Sequence, residues 1–187
     1  MQNKHGKLTV KDFLTSKRYY AIPSEFRYFN SYHDLAGHIY VAHNVVEKNM
    51  IQTMSPQLNL SINYSHLEKL AQVCLMGLVW HLKDPNSESI EFEISIIERE
   101  FQTILETHGL FKSTKSMLSV LDEEILEFKI AMQKYKEEQS SPFEENIAIW
   151  REVIQIAAVS MLGAFSVLHN SFEDTDRKFE IWLHEGI

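Results

Sequence analysis

The feature that most constrains this chain is a helical apolar period broken at regular intervals. Pro23, Pro56, Pro85, Gly109 and Pro142 punctuate it, and between them apolar residues recur at three- and four-residue spacing. No segment alternates with period two for long enough to make a strand. The run from Glu88 to Ile96 does alternate, but Ile97, Phe101, Ile104 and Leu105 carry it on at helical spacing. The expected fold is therefore all-α, an antiparallel helical bundle of about five main helices plus short terminal helices.

Local signals place the elements. Ser65-His-Leu-Glu68 reads as a capping box, and Ser141-Pro142-Phe-Glu144 joins one to a proline at the first helical position, where the missing N–H is no loss. His108-Gly109 reads as a helix end closed by a left-handed glycine. The main helices are expected over about 24–53, 65–84, 88–108, 114–138 and 142–169, with short ones near 9–19 and 172–184. The last of the five should run through the centre, because both of its sides are apolar and Ala157, Ser160, Gly163 and Ala164 let neighbours approach closely.

A length of 187 residues with 44% hydrophobic content suits a single domain over 1–187. The polar run 136–142 reads as a loop between helices rather than a linker. The most apolar stretch, Val153 to Leu168, is shorter than the roughly twenty residues a bilayer span needs and is bordered by Arg151 and Glu152, so it reads as a buried core helix. Cys74 is the lone cysteine, and the N-terminal residues lack the apolar core of a secretory signal, which points to the cytoplasm.

The net charge of −8, from 26 acidic against 18 basic residues, disfavours nucleic acid, which is gripped by clustered Lys and Arg. It favours a protein partner with a basic surface, since an acidic face steers such encounters. Phe179, Ile181 and Trp182 in the last short helix offer a contact patch, for a partner or a second copy of the chain.

Projection at 100° per residue then asks which polar groups face the core. On the first main helix, His43 falls inside the stripe of Leu35, Ala36, Ile39 and Val46, with Glu47 at its margin. His38 and Asp34 point away with Val41 and Val45. Cys74 lies inside the second helix's stripe and Glu124 inside the fourth's. A carboxylate in an apolar stripe is costly unless paired, so Glu124 calls for a partner. In an up-and-down bundle, a rise of 1.5 Å per residue brings His43, Cys74 and Glu124 to nearly one level, with Glu47 about one turn away. Imidazole, thiolate and carboxylate are ligands that zinc, iron or manganese can use, and these four residues form the candidate metal site. A buried His43–Glu124 hydrogen bond would satisfy both groups without any metal.

Asp122-Glu-Glu-Ile-Leu-Glu127 is similar to the magnesium-binding run of isoprenoid synthases, but a second such run is missing and the chain is short for that fold. An axial histidine for haem, at His43, His81 or His108, carries no sequence signature. No phosphate-cradling glycine loop, Cys-x-x-Cys pair or serine nucleophile elbow occurs, so no motif assigns an enzyme class. The leading functional expectation is an intracellular interaction or regulatory protein acting through an acidic helical surface. The alternative is a metal-dependent bundle protein.

Overall fold

A computed structural model of the chain describes residues 10–14, 29–51, 56–80, 82, 87–137 and 142–169. These residues form six helices: α1 (Val10–Leu14), α2 (Tyr32–Ile51), α3 (Pro56–Trp80), α4 (Ser87–His108), α5 (Thr114–Glu137) and α6 (Pro142–Leu168). The architecture is the expected all-α bundle. The short helix near 172–184, with Phe179, Ile181 and Trp182, lies outside the described residues, as does His81.

Caps explain several boundaries. Ser31 Oγ accepts the Asp34 amide at 3.2 Å, and Asp34 Oδ2 accepts the Asn30 amide at 3.0 Å, which satisfies donors at the start of α2. The first main helix was expected to begin near residue 24, yet Phe29, Asn30 and Ser31 are not helical. Ser113 caps α5 by accepting the Ser116 amide at 3.0 Å. At the end of α4, Gly109 takes φ +70 and donates its amide to the Leu105 carbonyl at 2.8 Å, the left-handed cap its sequence predicts.

The second main helix departs from expectation at its start. It begins at Pro56 rather than Ser65, so Ser65-x-x-Glu68 lies in a helix interior. Glu68 is buried, at 4% exposure, and is spent on the protein interior rather than on a helix end. Proline at the first helical position was the stronger start signal.

Directions alternate along the chain. Tyr32 at the start of α2 meets Trp80 at the end of α3, Tyr135 near the end of α5 and Trp150 near the start of α6, with ring centroids 5.7, 5.0 and 5.5 Å apart. Near the opposite end, Phe165 of α6 meets Phe101 of α4 at 5.2 Å and Phe13 of α1 at 6.1 Å. Helix α6 packs against α3, α4 and α5, while α2 lies across α3 and α5. This is the central position its two apolar sides predict. Ile149, Val153, Ile156, Ala157, Val159 and Leu162 are all fully buried on it.

Two glycines allow these close approaches. A Cβ at Gly163 would stand 2.7 Å from Met117 Sδ and 3.3 Å from Leu67 Cδ1, and one at Gly77 would stand 2.7 Å from Leu35 Cδ1. Ser166 ties the α4–α5 connection to α6 by accepting the Phe111 amide at 2.9 Å while donating to the Leu162 carbonyl at 2.7 Å. The apolar stretch of α6 is longer than expected, since Ile147–Leu168 has the length and hydropathy of a membrane span. Its most apolar window is 72% buried inside the bundle, as a core helix would be.

Candidate functional site

The expected metal ligands are not gathered in one place. His43 is buried on α2, as its stripe position predicts, but its Nε2 lies 2.7 Å from Asp122 Oδ1 on α5. Asp122 is half exposed, so the contact links α2 to α5 at the bundle surface. Cys74 is fully buried on α3, and burial pushes its thiol far up. Glu47 is partly buried on α2. Among the described residues, His43, Glu47, Cys74 and Glu124 do not converge as one ligand group.

Glu124 turns instead toward α6. Its carboxylate and those of Glu127 and Glu152 have oxygens within 4.8 Å of one another. The spacing follows from the helices: Glu124 and Glu127 are three residues apart on α5 and share a flank, while Glu152 projects from antiparallel α6. Glu152 is only 9% exposed, because Ile149 and Ile156, which share its face at three and four residues' spacing, are fully buried. Its Oε2 is enclosed without a hydrogen-bond partner, as are Glu124 Oε2 and, one turn along α6, Gln155 Oε1. None of the three carboxylates makes an ion pair with a described Lys, Arg or His.

The electrostatic result is a site that resists ionisation. Glu124 is pushed up to about 7, first by burial and then by the charges of Glu127, Glu152, Glu123 and Glu100. Glu152 is also raised, by burial first and then by Glu127, with Arg151 pulling the other way. On α4, burial raises Glu93 as well. Carboxylates this close, one of them buried, hold protons toward neutral pH or take up a cation in their place.

The donor set decides which cation. Three carboxylates and a nearby amide oxygen suit a hard ion such as magnesium, calcium or manganese, or an ammonium or guanidinium group. They lack the nitrogen and sulfur ligands on which the zinc expectation rested. For haem, the His43 imidazole is engaged by Asp122, and His108 is exposed at the end of α4.

Glu127 and Glu152 were missed as site residues, although both were readable. Glu152 borders the apolar run in sequence, and the projection that turns Glu124 inward also places it beside Ile149 and Ile156. The far side of α2 is as expected: His38 is 56% exposed and stands 3.7 Å from Asp34. No protein-family model, no curated protein and no solved structure matches this chain.

Proposed function

We propose that the chain is a non-enzymatic interaction protein that takes a basic segment of a partner protein against the acidic side of α5 and its seam with α6. The observation that carries this reading is the convergence of Glu124, Glu127 and Glu152, none of which makes an ion pair with a described cationic side chain. A lysine or arginine placed there would neutralise repelling charges and give the enclosed oxygens of Glu124 and Glu152 a donor. Charge-assisted hydrogen bonds of that kind are stronger than neutral ones.

The neighbouring surface favours a peptide over a bare ion. Glu123, Leu126, Glu127 and Ile130 fall within an arc of about 100° on α5. Leu126 is 56% and Ile130 43% exposed, so acidic and large apolar groups alternate along one strip. An amphipathic basic segment can match both, and the net charge of −8 would steer it in. The lone buried Cys74 is compatible with a reducing, cytoplasmic setting.

Random peptides displayed on phage and panned on the protein, with counter-selection on the Glu124→Gln/Glu127→Gln variant, test this directly. Enriched peptides should carry Lys or Arg flanked by apolar residues and should bind the variant at least about tenfold more weakly, a difference of one charge-assisted contact. Peptides without basic residues, or equal binding to both proteins, would overturn the reading. Saturable binding of magnesium, calcium or manganese alone at these glutamates, undisturbed by any enriched peptide, would assign the cluster to a metal instead.

A further inference from the structure

A second binding feature lies on α2 and α3, separate from the acidic seam. Between these helices is an open-sided pocket of about 180 Å³. Its apolar lining comes from Val41, Ala42 and Val45 of α2 and Val73 of α3, and its polar lining consists of His38, His66 and Lys69. The spacing explains why these residues meet. Positions 38, 41 and 45 recur along one flank of α2, positions 66, 69 and 73 along one flank of α3, and the two flanks face each other across the seam.

The polar groups are of one kind, since every one is a nitrogen base and no carboxylate among the described residues lines the pocket. That is a local reversal in a chain with an eight-charge acidic excess. Lys69 is exposed and makes no ion pair with a described residue. His66 is partly buried, and burial together with Lys69 holds its imidazole below the usual range, so near neutral pH it offers a neutral N–H donor. His38 has Asp34 as its own neighbour at 3.7 Å.

Geometry argues against a metal here. Leu35 lies against Gly77 and Tyr32 against Trp80, so α2 and α3 are antiparallel and His38 falls beside Val73 while His66 falls beside Val45. The two imidazoles are thus at opposite ends of a trough about 10 Å long, too far apart to share an ion. What fits is a short molecule with an apolar body and an anionic head. The volume is below the 300–1,000 Å³ or so of sites for drug-sized ligands, which limits the body to a few carbons.

We infer that the α2–α3 pocket binds a short aliphatic carboxylate, with its chain on Val41, Val45 and Val73 and its head on Lys69 and the His66 ring one turn away on α3. This site shares no residue with the α5–α6 seam, so each can fail without the other.

The test is a titration of the whole protein with sodium hexanoate, followed residue by residue through backbone amide shifts, against sodium chloride at matched ionic strength. Saturable shifts should concentrate at residues 38–45 and 66–73. Lys69→Met should weaken hexanoate binding at least about tenfold, and hexan-1-ol, which keeps the chain and lacks the charge, should bind weaker than hexanoate by a similar factor. Val41→Glu, at a position 65% exposed and therefore tolerant of substitution, should abolish binding by placing a like charge in the pocket. Shifts that chloride reproduces, equal affinity for hexanoate and hexan-1-ol, or unchanged affinity in Lys69→Met would each overturn the inference.

Discussion

On one flank of α5, Asp122 reaches across to α2 and meets His43 at 2.7 Å; on the other flank, about 200° around the same helix, Glu124 turns to α6 and meets Glu127 and Glu152. The two acids are neighbours in sequence and nearly level along the helix, yet one has a nitrogen partner and the other has like charges. Their facing helices account for the difference. Helix α2 presents a polar residue inside an apolar stripe, and α5 supplies its partner from the solvent edge, where half-exposure keeps the pairing inexpensive. Helix α6 is the bundle's core, so Glu152, which it turns toward α5, is buried, and among the described residues the carboxylates grouped with it are Glu124 and Glu127. Crowded carboxylates whose ionisation is opposed by burial and by one another are the kind of group found at functional sites, which is why the second place and not the first is the candidate site.

The most forceful way to break this contrast is to disturb the register that both flanks depend on. Met117 of α5 rests against Gly163 of α6, so Gly163→Leu should destabilise the protein by about 1–3 kcal/mol through overpacking. Denaturant unfolding would measure it, and a cost near zero would mean that α5 and α6 are not in this close contact.

A charge substitution sharpens the acidic side of the contrast. With Glu124 raised to about 7 in the folded protein, ionisation is harder folded than unfolded. The stability it contributes is therefore full below its ordinary value and is lost as pH rises through about 7. Glu124→Gln removes that loss. The variant should match the parent near pH 4 and exceed it near pH 8 by about 1–2 kcal/mol, a figure reduced for screening because the group is half buried. Melting temperatures across that range check it, and a variant less stable than the parent at pH 8 would show that Glu124 has a favourable partner.

The paired side responds more weakly. A double-mutant cycle over His43→Ala and Asp122→Ala should give a coupling of about 0.5–1.5 kcal/mol, typical of a single hydrogen bond, whereas a cycle over His43 and Glu124 should give none beyond about 0.3 kcal/mol. The reverse ranking would restore the His43–Glu124 pair expected from sequence. Smallest of all, His38→Ala should change stability by less than about 0.5 kcal/mol, since His38 is more than half exposed and touches only the Asp34 carboxylate at 3.7 Å and the edge of the Phe29 ring among the contacts described.

These outcomes bear on how far the sequence could be read. Apolar periodicity and the punctuating residues were sufficient for the all-α fold, for the Gly109 cap, for a sixth helix starting at Pro142 and for the central position of that helix. They failed at Ser65, where a capping-box pattern lies inside a helix that starts at Pro56, because the pattern cannot tell an end-capping glutamate from one buried by tertiary contacts. The site was legible by half. His43 and Glu124 were rightly turned inward, but inward is not one direction. A helix packed between two neighbours has two inner flanks, and a single chain's periodicity does not say which neighbour stands on which side. That is how Glu124 was assigned the partner that belongs to Asp122. Cys74 is inside, as level and face say, but neither says which side chains surround it, and among the described residues it is not grouped with His43, Glu47 or Glu124.

The central claim is that Glu124, Glu127 and Glu152 form one coupled acidic site without an internal cation. Carbon-13 detection of the side-chain carboxyls of the intact protein through a pH titration tests it most directly, with Glu124, Glu127 and Glu152 assigned by single Gln substitutions. The account predicts that Glu124 titrates near 7, that Glu152 also titrates above the ordinary glutamate range, and that Glu152→Gln moves Glu124 back down toward that range. Ordinary, independent titration of Glu124 and Glu152, with Glu124 unmoved by Glu152→Gln, would contradict it.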